Sequence, residues 1–219
     1  MDSSVAAAVA QLYDSMPAHE WARMDRHRTE FYVTLRGLRE HLPPPPARVL
    51  DCGGGPGRYA VELTRWGYDV TLFDLSTANL ALALEKATEV SVTLAGVEQG
   101  TALDLARFAD GSFDAVLLMG PLYHLLEELE RRRALAEARR VLKPGGPLFA
   151  AFISRYAAHR DAAVRYPTEP VDRTGLYEQI EALRQAAARA GLNRPDIDGI
   201  FYGNAARLIE QVRQSQPRR

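Results

Sequence analysis

A short apolar segment, Arg48–Cys52, runs directly into a turn that carries four glycines within residues 53–57. Residues 59–66 then place apolar side chains at helical spacing. We interpret this order as a strand, a turn and a helix, which together make one βα unit. A glycine turn lets the backbone approach a ligand closely, and the following helix presents free N–H groups to it. This unit predicts an α/β fold with a ligand site beside the turn.

Strands and helices alternate after this unit up to residue 153. The segments with strand composition are 69–74, 90–94, 113–119 and 147–153. The segments with helical periodicity are 80–86 and 127–141. Nearly continuous apolar strands that alternate with helices are typical of a parallel sheet covered on both faces. The pattern predicts a Rossmann-like α/β fold with a doubly wound, mostly parallel sheet.

The two ends of the chain differ from this pattern. Residues 5–42 have apolar positions at mostly helical spacing and predict one or two helices, and the proline run at 43–46 ends them. We therefore expect an N-terminal helical arm over residues 1–42 and an α/β domain over residues 47–219. Within that domain residues 155–219 are atypical, because they predict one helix, 176–190, and a single weak strand, 197–202.

The composition fits one globular domain and narrows the choice of partners. Of 219 residues 47% are hydrophobic, and the formal net charge is −1, so no basic field favours nucleic acid. Cys52 is the only cysteine, which excludes an intrachain disulfide and indicates a small core residue. The start has no signal pattern, and no apolar run approaches the roughly eighteen residues of a membrane span. We expect a cytoplasmic protein, monomeric or homodimeric, that does not bind membranes.

Two acids flank the glycine turn in sequence. Asp51 precedes Gly53 by two positions, and Asp74 ends the second strand. In an open α/β sheet the ligand lies at the carboxyl ends of the strands where the strand order reverses, so both acids should converge there. A carboxylate in that position suits a ribose diol because it accepts two hydroxyl hydrogen bonds. Asp74 has an alternative role as the cap of the next helix.

The glycine run also has an alternative interpretation, a tight turn in another nucleotide-binding protein such as a nicotinamide dehydrogenase. That fingerprint is Gly-x-Gly-x-x-Gly without the upstream acid, so Asp51 disfavours it.

With these glycines and acids in this order, residues 48–153 resemble the class I S-adenosylmethionine-dependent methyltransferases. The turn from Lys143 to Gly146 is similar to the one that precedes the fifth strand in that family. The resemblance implies S-adenosyl-L-methionine as the cofactor and S-adenosyl-L-homocysteine as the product. It assigns Asp74 to the ribose and Asp104 to the adenine amino group. The implied cofactor-binding residues are Asp51, Gly53, Gly55, Gly57, Asp74, Leu75, Asp104, Leu105 and Met119.

The loop after the fourth strand is where we expect the acceptor to react. Methyl transfer is an in-line displacement, so the enzyme mainly aligns the reactants and excludes water. His124 is the candidate catalytic base, with packing under the cofactor as its alternative role. Tyr123, the second catalytic candidate, either walls the acceptor pocket or fills the core. Gly120 offers no carboxylate to a metal ion, so we expect a metal-independent reaction.

The helical arm supplies the candidate acceptor-binding residues. In small-molecule members of the family such an arm covers the cofactor and forms part of the acceptor pocket. The resemblance implies this role for Tyr13, Trp21 and Arg23, with Glu20 beside them. The alternative is a helix packed on the sheet with a solvated charged face.

The expected function is methyl transfer from S-adenosylmethionine to oxygen or nitrogen of a small molecule. The rival functions are methylation of a protein or RNA and a non-catalytic cofactor-binding module. The family completes its sheet with an antiparallel hairpin after the fifth strand. The one weak strand at 197–202 indicates a shortened hairpin, or an edge covered by the helix at 176–190 or by another subunit.

Overall fold

The computed structural model of the chain describes residues 3–125 and 127–152, with side chains from residue 9 onward. The helix expected at 176–190, the strand expected at 197–202 and the question of a shortened hairpin lie outside these residues.

Five parallel strands form one sheet with the order β3-β2-β1-β4-β5. The strands are β1 (Arg48–Cys52), β2 (Asp69–Asp74), β3 (Gly96–Gln99), β4 (Ala115–Leu118) and β5 (Leu148–Ala150). The strand order reverses between β1 and β4, which places a crevice at their carboxyl ends. This sheet confirms the predicted Rossmann-like fold, and the predicted bounds of β1 and β2 are those observed.

Three helices connect the strands: α4 (Arg58–Arg65), α5 (Thr77–Glu89) and α6 (Glu128–Val141). Alternate residues of one strand are buried on opposite faces of the sheet. Val49 packs in the core cluster that includes the buried sides of α4 and α5. Leu50 and Cys52 are equally buried but lie outside that cluster, as do the inner positions Ala134 and Ala138 of α6. Both faces of the sheet are therefore covered.

The arm contains three helices, α1 (Ser3–Asp14), α2 (Pro17–Arg26) and α3 (Arg28–His41), rather than one or two. Pro17 starts α2 at its first turn, where a missing N–H costs nothing. His27 has φ −109° and ψ 48°, which interrupts the helix between α2 and α3. Phe31 and Leu38 of α3 enter the same core cluster as α4. The arm is thus packed onto one face of the sheet.

The third strand was predicted at 90–94, and this prediction is wrong. α5 continues to Glu89, and Ser91 turns the chain with a positive φ of 57°. Val92 and Leu94 are apolar because they pack against the core cluster, not because they pair in the sheet. Pairing with β2 begins only at Gly96. Among the described residues no helix has both the length and the apolarity that a membrane crossing requires.

Candidate active site

A cavity opens at the carboxyl ends of β1, β2 and β4, between the sheet and the first two helices of the arm. Its walls come from the glycine turn, the end of β2, the loop after β3, the loop after β4, and α1 and α2. These are the segments that a doubly wound sheet brings together at its switch point, although they are far apart in sequence.

The glycine turn forms the floor of the cavity with Gly53, Gly54 and Gly55. A Cβ on Gly54 would lie 2.5 Å from the carboxyl carbon of Asp51 and 2.6 Å from Leu72 Cδ1. The turn can therefore lie directly on the acid beneath it only because residue 54 has no side chain. Gly57 is not part of the cavity wall; it precedes α4 with a φ of 78° and packs toward Ala83.

Asp74 joins the end of β2 to the glycine turn. Its Oδ2 accepts the N–H of Gly55 at 2.8 Å, and its Oδ1 accepts the N–H of Ser76 at 2.9 Å. Burial raises the pKa of Asp74, while these backbone hydrogen bonds act in the opposite direction. The N-cap of α5 is Ser76, whose Oγ accepts the N–H of Asn79, so capping is not the role of Asp74. The Asn79 side chain and the Leu75 backbone also donate to this carboxylate.

Asp51 lies beneath the turn and is 1% exposed. Burial, followed by the charge of Asp74, raises the pKa of Asp51 to about 7. Within the described part of the chain its Oδ2 has no hydrogen-bond partner, and the same holds for Oδ1 of the buried Asn79. Both residues line the cavity. Two buried acceptors without donors are costly unless a ligand supplies the donors.

The loop after β3 reaches the cavity at positions other than the one predicted to contact the adenine. Gly100, Thr101 and Ala102 line the cavity, whereas Asp104 is exposed and is not in its wall. Oδ1 of Asp104 accepts the N–H of Ala106, so its carboxylate is engaged within its own turn. Leu105 also lies outside the wall: it is buried, and its N–H donates to Glu137.

The chain turns at Thr101, whose carbonyl accepts the N–H of Asp104. This turn places positions 100–102 at the cavity and moves 104 away from it. Gly100 is the sequence feature that could have indicated this close approach. A Cβ at residue 100 would collide with the Phe73 ring, so the backbone must pass close over β2 at this point.

The end of β4 contributes Met119 and Gly120 to the wall. A Cβ on Gly120 would collide with the carbonyl oxygen of Gly53, so the turns after β1 and β4 touch through their backbones. A 3-10 turn, Pro121–Tyr123, follows; Tyr123 ends it, and His124 comes directly after it. Leu75, directly after Asp74, is also in the wall.

Tyr13, Tyr123 and His124 meet at one end of the cavity. The Tyr13 hydroxyl is 2.7 Å from Nε2 of His124, and the two rings are at 85° with centroids 5.5 Å apart. The Tyr123 ring is tilted against His124 at 4.6 Å. Burial lowers the pKa of His124, and the nearby charge of Glu20 opposes this shift. His124 is therefore a neutral imidazole at neutral pH, able to accept a proton.

Of the arm residues predicted to bind the acceptor, Tyr13 and Arg23 line the cavity and Trp21 does not. Glu20 and Arg23 line the cavity, and Arg23 Nη1 lies 3.2 Å from Oε1 of Glu30. Trp21 is outside the wall; the Arg58 guanidinium lies over its ring at 4.7 Å. Trp21 thus supports Arg58, a cavity residue that sequence reasoning missed. The sequence feature that could have indicated Arg58 is its position directly after the last glycine, at the N-terminus of α4.

Asp14 was also missed, and it holds α1 in place. Its Oδ1 accepts the Ser76 hydroxyl at 2.6 Å and the N–H of Ala78 at 3.0 Å. These bonds tie the end of α1 to the N-terminus of α5, next to Asp74. The adjacent residue, Tyr13, is thereby directed toward His124 across the cavity.

The donors and acceptors of the cavity fit S-adenosylmethionine. The Asp74 carboxylate in the cavity wall suits a ribose diol, and the unpartnered Oδ2 of Asp51 suits an ammonium group. The acids Glu20, Asp51 and Asp74 in the wall also favour a cationic sulfonium.

Comparison with known proteins agrees with this fit. Residues 50–150 match the family model described as a methyltransferase domain. The chain is 34% identical over 194 residues to the ubiquinone biosynthesis O-methyltransferase of Xanthomonas axonopodis pv. citri (strain 306), an alignment that covers 82% of this chain and 78% of that protein.

Solved structures share the fold. The PH0226 protein from Pyrococcus horikoshii OT3 superposes with a TM-score of 0.55 at 26% identity, covering 66% of this chain and 65% of that one. A putative S-adenosyl-L-methionine-dependent methyltransferase from Methanococcus maripaludis has a TM-score of 0.57 at 16% identity, covering 84% of each chain. At that identity the second likeness concerns the fold alone.

The chain belongs to the S-adenosylmethionine-dependent methyltransferases. It is an enzyme of that class, and S-adenosyl-L-methionine is its cofactor.

Proposed function

We propose that this methyltransferase transfers a methyl group to a hydroxyl oxygen of a small molecule, with His124 as the base. The observation that carries the proposal is the position of the His124 imidazole, which lines the same cavity as Asp51 and Asp74. Burial lowers the pKa of His124, which favours the neutral form that a base requires. The O-methyltransferase name of the Xanthomonas relative supports oxygen as the acceptor atom. Sequence analysis alone left oxygen and nitrogen open.

In this proposal the acids bind the cofactor at two points. Asp74 accepts from the ribose hydroxyls, and Asp51 accepts from the ammonium of the methionine part. In the same scheme Leu75, Thr101 and Ala102, which also line the cavity, contact the purine. The bound cofactor supplies a methyl group on a positively charged sulfur. The glycine turn lets the backbone lie against it, since residues 53–55 have no side chains.

The reaction depends more on aligning the two reactants and excluding water than on strong acid–base chemistry. His124 removes the proton of the acceptor hydroxyl, and Tyr123 holds the imidazole ring by its tilted contact at 4.6 Å. Helices α1 and α2 cover the cavity and exclude water. The acceptor oxygen is placed without a metal ion in this scheme, because Gly120 at the end of β4 brings no carboxylate there.

The proposal also covers the class of acceptor, the compartment and the oligomeric state. The net charge of −1 supports a small-molecule acceptor over nucleic acid, and the buried Cys52 suits a reducing compartment such as the cytoplasm. We propose a monomer or a homodimer. Light scattering of the purified chain measures this directly, and a larger assembly would contradict it.

Calorimetric titration with S-adenosylhomocysteine and with NADH tests the cofactor site. Binding of the sulfur compound and no binding of NADH is expected, whereas the reverse result would overturn the site assignment. Incorporation of a labelled methyl group into a panel of phenols, alcohols and amines then identifies the acceptor atom. Transfer to amines alone would contradict an oxygen acceptor.

The variant His124→Ala tests the base. The turnover number should fall by about 10²- to 10⁴-fold while the affinity for S-adenosylhomocysteine stays unchanged. His41→Ala, at an exposed position on α3, is the matched control. Because burial lowers the pKa of His124, the wild-type rate should fall on the acid side only below the ordinary histidine value of 6.5. Parallel loss of cofactor affinity would instead assign His124 a packing role.

A further inference from the structure

The Tyr13–His124 hydrogen bond joins two elements that are far apart in sequence. Tyr13 is at the end of α1, and His124 follows the 3-10 turn after β4, yet their polar atoms are 2.7 Å apart inside the cavity. The hydrogen bond therefore spans the site from the covering arm to the proposed base. Its position is where an acceptor must present its own hydroxyl.

The chemistry of the two groups sets the direction of this hydrogen bond. A phenol is the stronger acid and an imidazole the stronger base, so the shared proton belongs on oxygen. Burial raises the pKa of Tyr13 and lowers that of His124, which keeps both groups neutral. The arrangement that suits the better donor and the better acceptor is donation of the Tyr13 O–H to the lone pair of Nε2. The remaining proton of His124 is then on Nδ1.

We propose that Tyr13 occupies the subsite of the acceptor hydroxyl and that the acceptor is a phenol, whose O–H replaces that of Tyr13 on Nε2 of His124. This inference rests on the proposed function, because it assumes that His124 is the base. In the transfer the acceptor oxygen bonds to the methyl carbon, the sulfur keeps the electron pair of the broken bond, and the hydroxyl proton moves to Nε2.

The surroundings of Tyr13 favour a phenol over an aliphatic alcohol. Its aromatic ring already meets His124 edge to face, in a geometry that aromatic pairs prefer. Tyr123 adds a third ring at the same place. A planar ring that carries a hydroxyl reproduces the contacts that Tyr13 makes.

Tyr13 can leave this subsite while the arm stays attached. The adjacent Asp14 is bound to Ser76 and Ala78 independently of His124. Rotation of the Tyr13 side chain, with α1 still held at Asp14, is enough to free Nε2. In the absence of an acceptor Tyr13 keeps Nε2 of the proposed base hydrogen-bonded.

Nitrogen NMR of histidine-labelled protein loaded with S-adenosylhomocysteine tests the hydrogen bond. His124→Gln assigns the signals, and the wild type should show His124 with its proton on Nδ1. Tyr13→Phe removes only the hydroxyl and should shift the population toward the Nε2–H form. Tyr32→Phe, an exposed tyrosine on α3, should change nothing. A wild-type Nε2–H form, or an unchanged tautomer in Tyr13→Phe, would overturn the inference.

Calorimetric titration of the same loaded proteins with catechol tests the acceptor class. Tyr13→Phe should bind catechol about threefold to tenfold more tightly than wild type, because one competing hydrogen bond is gone. Equal or weaker binding, or no binding to either protein, would overturn the phenol subsite. Failure of S-adenosylhomocysteine to bind at the outset would instead contradict the proposed function, so the two failures are distinguishable.

Discussion

The backbone N–H of Gly55 donates to Oδ2 of Asp74 at 2.8 Å. This bond fastens the glycine turn after β1 to the end of the neighbouring strand β2. The residue proposed to bind the ribose therefore also fixes the shape of the turn on which the cofactor lies. The glycine turn is thus held in shape by the same residue that is proposed to bind the ribose.

Replacing Asp74 with alanine should weaken the binding of S-adenosylhomocysteine by about 2–4 kcal/mol, since a charged acceptor for two hydroxyls is lost. The turn also loses its bond from Gly55. Calorimetry measures the change, with Asp69→Ala at the exposed start of the same strand as control. Wild-type affinity in the Asp74 variant would remove the ribose assignment.

Asp104→Asn should leave the affinity for S-adenosylhomocysteine within about twofold of wild type, because an exposed surface side chain outside the cavity contributes little. Its carboxylate accepts only from Ala106 among the hydrogen bonds that the structure describes for it. The titration used for Asp74 serves here. A tenfold loss would mean that the loop after β3 rearranges when the cofactor binds.

Two glycine substitutions should change stability in opposite directions. Gly54→Ala forces a Cβ to 2.5 Å from Asp51, and overpacking of this kind costs about 1–3 kcal/mol. Gly37→Ala, within α3, meets nothing within 4 Å and should gain about 0.5–1 kcal/mol from helix propensity. Thermal unfolding followed by circular dichroism compares them. Equal effects would contradict the tight contact at the turn.

The raised pKa of Asp51 makes stability depend on pH. The folded carboxyl binds a proton up to about pH 7, whereas its ordinary value is 3.8, so between these values the folded state holds more protons. Wild-type stability from this group should therefore increase as the pH falls from 8 toward 5.

Asp51→Asn should remove this dependence and stabilise the protein at pH 8 by roughly 2–4 kcal/mol, since no charge is buried. Urea unfolding at pH 5 and pH 8 measures both proteins. Asp114→Asn should instead destabilise the protein at pH 8. Lys143 lowers the pKa of the Asp114 carboxyl, so the charged form of Asp114 stabilises the folded state. A stabilisation of Asp51→Asn that does not depend on pH would contradict the buried-charge explanation. The same variant should bind S-adenosylhomocysteine more weakly.

The sequence pattern predicted the strand bounds correctly where an apolar run coincides with a strand that pairs in the sheet. β1 and β2 were predicted with their observed bounds, since each is an apolar run closed by a turn signal. The prediction of a third strand at 90–94 was wrong because Val92 and Leu94 fill the core beside α5. Burial in a loop requires the same apolar residue types as burial in a strand. The arm contains more helices than predicted because the backbone leaves helical geometry at His27, where no proline or glycine in the sequence marks the break.

The sequence by itself determined the fold class, the cofactor and the convergence of Asp51 and Asp74 at one cavity, because strand–turn–helix order and glycine spacing are local properties of the chain. Only the tertiary structure decided that Thr101 lines the cavity and Asp104 does not, that Trp21 supports Arg58, and that Tyr13 reaches His124. The last pair is 111 residues apart. Contacts of that kind depend on how the helical arm packs across the sheet, and no local pattern in either segment encodes their distance.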